Sequence, residues 1–366
     1  LRAKRALAQV KMSDPQGALI SLVGVHPTSV AGRVAEALAY SGAAALGFGD
    51  PAIGTAKAAE CRRVALESGD TGALVIASWA HAAAAHARGE LHGSVWADLQ
   101  ETHQLPHLAV RVFDGHLCIT QRFLYGSRPY PEVIAFADAL AAEARRLGAA
   151  RGQAFAVTLR GEARLLSGDL DGAEQDLRDG GRLHRAIHGA TGEALSLQRR
   201  AELALLRGQR HEARDLLDDA LDVARQSDVG FHLLDRIYGT RIALAADAEA
   251  GLAALEEADH AVRGPFETCP GCRITFAVPA TIAAARARAL DLAGQHEHQA
   301  AYLADVVMKL PAWHAALHEA RGHIARAGGD EPGARQRFAH AAAGFRGAGQ
   351  PMDELRCRRL AAGEDG

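Results

Sequence analysis

The 366-residue chain carries 41 basic and 44 acidic side chains, a formal charge of -3 that gives no basis for sequence-independent binding to a nucleic-acid backbone. A chain of this length is more than one hydrophobic core usually serves, unless repeated units each pack only on their neighbours. Its 48% hydrophobic content is rich in alanine, with 5% aromatic residues and few of the β-branched side chains that strands need, so helices joined through small residues are expected.

In chain order, a first helical hairpin is expected around Ala6 and Ala18. No signal-type apolar stretch follows Leu1 to Arg5, and no run of eighteen apolar residues free of charge occurs anywhere, so a cytoplasmic chain without a membrane span is expected. Gly42, Gly49 and Gly54 mark a second hairpin, and Ala82, Gly89 and Ser94 a third. The stretch Gly49 to Lys57 has glycines in the manner of a phosphate loop, but Lys and Ser/Thr do not follow them directly, so they read as turn and crossing residues.

From Leu105 to Pro131 alanine thins out and Phe113, Phe123, Tyr125 and Tyr130 appear, with Gln121 where a small residue is expected. A weak copy near Val133 follows this irregular joint. Two strong copies come next: Gly161, Gly168, Ala173 and Leu177, then Ala201, Gly208, Ala213 and Leu217. Where two antiparallel helices cross, a small residue on each lets the backbones approach, a large residue one turn on fills the space beyond, and the glycine between them ends the first helix in a left-handed conformation. A weak copy near Ala254, one using Ala287, Gly294 and Gln299, and a third strong one with Gly322, Gly329, Ala334 and Phe338 complete the series. The pattern predicts an all-α chain, a right-handed α-solenoid of about nine helical hairpins with a ~40-residue period, over residues 1–360. Residues 361–366 are expected to be a flexible tail, and the whole reads as a piece of a longer polypeptide.

The spacing of Gly161, Ala173 and Gly180 resembles the tetratricopeptide (TPR) consensus, although the large aromatics of that repeat are mostly absent and its period is shorter. The wording from Cys269 to Leu360, through Ala287-Arg288 to AWHAALHEARGHIARAGGDEPGARQRFAHAAAGFRGAGQPMDELRCRRLAA, resembles the C-terminal solenoid of large ATP-binding LuxR-family transcriptional regulators of the maltose-regulator type. That resemblance implies a sensor domain that receives a small-molecule inducer or a protein partner, with the ATPase and DNA-reading modules in other parts of the polypeptide and no direct nucleic-acid contact here.

Candidate residues follow from the register of the repeats. Trp79, His86, Arg122, Tyr125, Thr158, Glu162, Gln198 and Glu202 are expected on the concave face formed by the first helix of each hairpin, where a ligand or partner would bind. Five cysteines (Cys61, Cys118, Cys269, Cys272 and Cys357) give no disulfide framework, and reduced thiols are expected. Cys269-Pro270-Gly271-Cys272 has the spacing of a metal or redox pair, and with His314 and His318, one turn apart on the next first helix, it forms a candidate zinc set. The repeated carboxylates Asp218-Asp219 and Glu256-Glu257 read as solvated helix faces, no GxSxG elbow occurs, and no enzyme activity is expected. The alternatives are a freestanding TPR scaffold that joins proteins and a zinc-binding helical protein built on Cys269 and Cys272.

Overall fold

Aspartate, serine and proline open many of the helices: Asp14, Ser29, Asp50, Asp70, Asp169, Asp247 and Asp330 each accept a hydrogen bond from a first-turn amide, which satisfies a donor the helix itself cannot. The computed structural model describes every residue but Asp228, Pro265, Phe266, Asp365 and Gly366, and its described residues contain nineteen α-helices and no strand. Contacts group the chain into two compact units, residues 1–120 with 140–155 and residues 121–139 with 156–366.

The first unit contains α1 (Arg2–Lys11), α2 (Pro15–Leu22), α3 (Val30–Ala45), α4 (Pro51–Ser68), α5 (Thr71–Ala87), α6 (Leu91–Thr102) and α7 (Pro106–Ile119). Each packs on its chain neighbour where the two form a hairpin, and α1, α3, α5 and α7 pack one on the next. Gly42 is held against Val10, and a Cβ at Gly54 would lie 3.3 Å from the Ser41 backbone. The Gly54 approach is the one expected of a hairpin crossing, whereas Gly42 meets α1 of the preceding hairpin, and Asp50 and Pro51 simply start α4 between the glycines that resemble a phosphate loop.

α8 (Tyr130–Arg146) and α9 (Ala150–Ser167) divide between the units. The second unit continues with α10 (Leu170–Ala186), α11 (Ala190–Leu206), α12 (Arg210–Ala224), α13 (Phe231–Leu244), α14 (Ala248–Ala261), α15 (Pro270–Arg286) and α16 (Leu290–Ala301). A π-helical stretch, Tyr302–Met308, leads to α17 (Pro311–Ala327), α18 (Glu331–Gly347) and α19 (Pro351–Ala362). Here α11, α13, α15 and α17 are the helices that stack on each other while α12, α14, α16 and α18 fold back on them.

The three strong copies behave as their residues dictate. Gly168, Gly208 and Gly329 take φ of 87°, 74° and 87°, where an L side chain would be strained, and Ala173, Ala213 and Ala334 are fully buried. The copy expected on Ala287, Gly294 and Gln299 is displaced by six residues. Arg288 makes the left-handed turn at φ 58°, Ala293 is the buried small residue, and Gly294 lies within α16 beside open space. An arginine in a position that glycine normally holds erased the signal. Near Ala254 the close approach belongs instead to Gly251, beside Ala245 and Ala283. At Gln121, which is buried, the chain leaves α7 through a single 3₁₀ turn, Thr120–Arg122, and stays non-helical until Tyr130. α19 runs through Ala362 and is closed by Gly363 at φ 84°, so part of the expected tail is helical, and the last two residues of that tail lie outside the described ones.

Candidate binding site

In each unit, buried ion pairs between residues 36 to 37 positions apart join neighbouring helical hairpins. In the first unit Arg62 donates to Asp98 at 2.9 Å, Asp98 is bonded to His116 at 2.8 Å, and Arg151 pairs with Asp114. Burial pushes the Asp98 carboxyl up, but the His116 hydrogen bond and the charges of His116 and Arg62 outweigh it and hold the group at about 2. The folded value lies below the ordinary 3.8, so the stabilisation is present above that pH and is lost as pH falls through about 2. Asp98→Asn is therefore expected to cost about 2 kcal/mol near pH 7 and roughly half as much near pH 3, as read by urea denaturation at the two pH values.

In the second unit the corresponding network centres on Arg199 of α11. Its guanidinium donates to Glu162 of α9 at 2.8 Å, to Glu202 at 2.7 Å and to the Tyr125 hydroxyl at 3.1 Å. Arg236 of α13 approaches the same Glu162 oxygen at 3.5 Å, and Gln198 donates to Glu202 at 2.7 Å and to Thr240 at 2.9 Å. Burial alone would weaken the Arg199 charge, but Glu202, Tyr125 and Glu162 hold it firmly protonated. Four of the residues expected to share a face are thus gathered here: Tyr125, Glu162, Gln198 and Glu202.

Tyr125 is fixed from three sides. Its ring stacks on Trp313 with centroids 4.3 Å apart, its carbonyl accepts from the Ala312 amide at 3.1 Å, and its hydroxyl meets Arg199. Gly126 follows at φ 87°, and a Cβ there would lie 2.9 Å from that of Ala348. The irregular, aromatic-rich segment is thereby pinned to the start of α17. Arg122 donates to the Met308 and Val307 carbonyls at 2.7 and 3.1 Å, capping the π-helical stretch, and burial lowers its pKa to about 10.

The remaining expected residues lie elsewhere. Thr158 is wholly buried and shares a hydrogen bond of 3.2 Å with His184. Trp79 and His86 are half-buried on α5 of the first unit, Trp79 packing against the cluster of Ala37, Ala58, Cys61, Ala77 and Ala80.

Beside the Arg199 network the second unit opens into a cleft of about 1040 Å³, whose lining includes Tyr125 and Glu202 but none of Arg122, Thr158, Glu162 and Gln198. Its apolar wall comes from Leu165, Leu205, Ile242, Val278, Ile282 and Phe345. Its polar wall includes Arg199, Glu319 and Arg356, and Arg356 grips Glu319 with two parallel bonds of 2.7 Å and reaches Asp353 at 2.6 Å. Arg199, Arg236, Glu319 and Arg356 lie outside the set expected from the repeat register. The signal was an arginine and a carboxylate 37 residues apart on successive first helices, as in Glu162 with Arg199 and Glu319 with Arg356.

Cys269 and Cys272 sit at the N-terminus of α15, both buried, with sulfurs within 4.8 Å of each other. The Cys272 amide donates to the Cys269 sulfur at 3.4 Å, and the Cys269 amide donates to His232 Nδ1 at 3.0 Å. Neither His314 nor His318 joins them in any cluster of three or more metal-type ligands among the described residues. His314 bonds to Asp305 at 2.9 Å, and the His318 ring meets His340 of α18 edge-on at 5.7 Å, so both imidazoles face other neighbours.

No family model matches the chain, and no curated protein is similar enough to it to count as a relative. Among the described residues no helix is long and apolar enough to cross a membrane.

Proposed function

We propose that this chain is a non-catalytic binding domain, the sensor part of a transcriptional regulator, and that the cleft of the second unit receives its ligand. The observation that carries the reading is the cleft itself. Its volume is at the upper end of the range for small-molecule sites, its wall is largely apolar, and a few fixed polar groups converge on it. Binding is favoured over catalysis because the carboxylates of the lining are occupied. Glu202 pairs with Arg199, Glu319 and Asp353 pair with Arg356, and Asp247 caps α14. Burial pushes the His323 imidazole down to about 4, which leaves it neutral near pH 7. The regulator context rests on the resemblance of the segment from Cys269 to Leu360 to the solenoids of the LuxR-family regulators.

The test is thermal unfolding of the purified chain across a panel of metabolites, compared with Leu206→Trp, which enlarges an exposed side chain of the cleft lining. A ligand at 100 times its Kd stabilises by about 2.7 kcal/mol, a shift of several degrees, and the shift is expected to vanish in the variant. Shifts that persist in Leu206→Trp, or their absence across the panel, would refute the cleft as the receptor site. A nucleotide-binding region upstream and a helix-turn-helix downstream in the reading frame support the regulator context, and a frame without them removes it in favour of a freestanding protein-joining scaffold.

A further inference from the structure

The charges that line the cleft do not balance. Arg199, Arg210, Arg286, Arg288, Arg326 and Arg356 stand against Glu202, Asp247, Glu319 and Asp353. The carboxylates are engaged as described, Arg210 donates to the Leu244 carbonyl, and Arg326 pairs with Glu331. The Arg286 and Arg288 side chains remain exposed, with no hydrogen-bond or ion-pair partner among the described residues.

Both are placed to act on the cleft. Arg286 ends α15 and lies near enough to His323 for its charge to depress that imidazole. Arg288 holds the left-handed turn position at φ 58° that Gly168, Gly208 and Gly329 hold in the strong copies. An L side chain there costs about 1 kcal/mol, so the turn keeps this guanidinium at the cost of stability. A cation entering the cleft would find its carboxylates taken, whereas an anion finds two unpaired guanidinium groups beside an apolar wall.

We propose that the ligand of this cleft is an amphipathic organic anion, its acid group held by Arg286 and Arg288 and its apolar body laid along Val278, Ile282 and Phe345. This rests on the reading of the cleft as a binding site. A guanidinium is the side chain best shaped to meet an oxyanion through paired hydrogen bonds, and such bonds gain strength beside a low-dielectric wall.

The 366-residue chain is titrated with two fluorescent probes of similar aromatic body, the anionic anilinonaphthalene sulfonate and the neutral N-phenylnaphthylamine. Saturable binding of both is expected. In Arg286→Gln/Arg288→Gln, whose exposed positions leave the core untouched, sulfonate affinity is expected to fall about tenfold or more, while the neutral probe stays within about twofold of the parent. Unchanged thermal unfolding of the variant confirms that its fold is kept. Equal retention of both probes in the variant overturns the anion assignment and leaves the cleft reading standing, whereas failure of both probes to bind the parent overturns the two together.

Discussion

Replacing Arg199 by methionine is expected to lower the stability of the chain by about 3–5 kcal/mol, the usual cost of stranding a buried charge. Glu162 is fully buried, and Arg199 supplies its closest contact, at 2.7 Å. Arg236, at 3.5 Å, is too distant to replace it. The same substitution leaves the Tyr125 hydroxyl without its guanidinium and leaves Glu202 with Gln198 as its donor. Glu162→Gln in the Arg199→Met background is expected to recover only part of the loss, because it removes the stranded carboxylate but leaves buried Arg236, 3.5 Å from the same oxygen, without its own partner. Urea denaturation of the two single variants and the double gives the coupling, and strictly additive losses would show that the pair is not the source. A ligand in the cleft should feel the change as well, since Arg199 forms part of the lining.

The buried pairs explain why the sequence revealed the architecture better than the site. Small residues announce hairpins because the requirement is local and steric: an alanine five residues after a left-handed glycine is legible at Ala173, Ala213 and Ala334, and all three are buried. The same rule misread the turn at Arg288, because the left-handed conformation there is carried by a residue that disfavours it. Charged side chains at helical spacing resemble a solvated face until the neighbouring repeat is laid against them. Register alone places Glu162 and Gln198 on an accessible surface, yet the structure buries both. Tyr125 and Glu202, read from the same register, do line the cleft. Two-residue spacing in Cys269 and Cys272 was a sound indication that the sulfurs are near each other, but it carried no information about where His314 and His318 point.

Phe338→Ala is expected to cost about 3–5 kcal/mol, and its interest lies in the glycine that faces it. Gly322 of α17 crosses α18 so closely that a Cβ on it would lie 2.5 Å from the Phe338 ring, and Phe338 is completely buried with Ala334 and Leu360 in one cluster. Gly322→Ala alone is therefore expected to destabilise by about 1–3 kcal/mol through overpacking, although alanine is the better helix former. Shrinking the partner should reverse that penalty: Gly322→Ala/Phe338→Leu is expected to be more stable than the sum of the single changes predicts, by about 0.5 kcal/mol or more. The parallel crossing at Gly161, where a Cβ would lie 2.9 Å from Leu177, is expected to respond in the same direction and less strongly, because an aliphatic side chain can turn aside where a ring cannot. Equal penalties at the two crossings would mean that the backbone approach, rather than the large residue beyond it, sets the spacing of the hairpin.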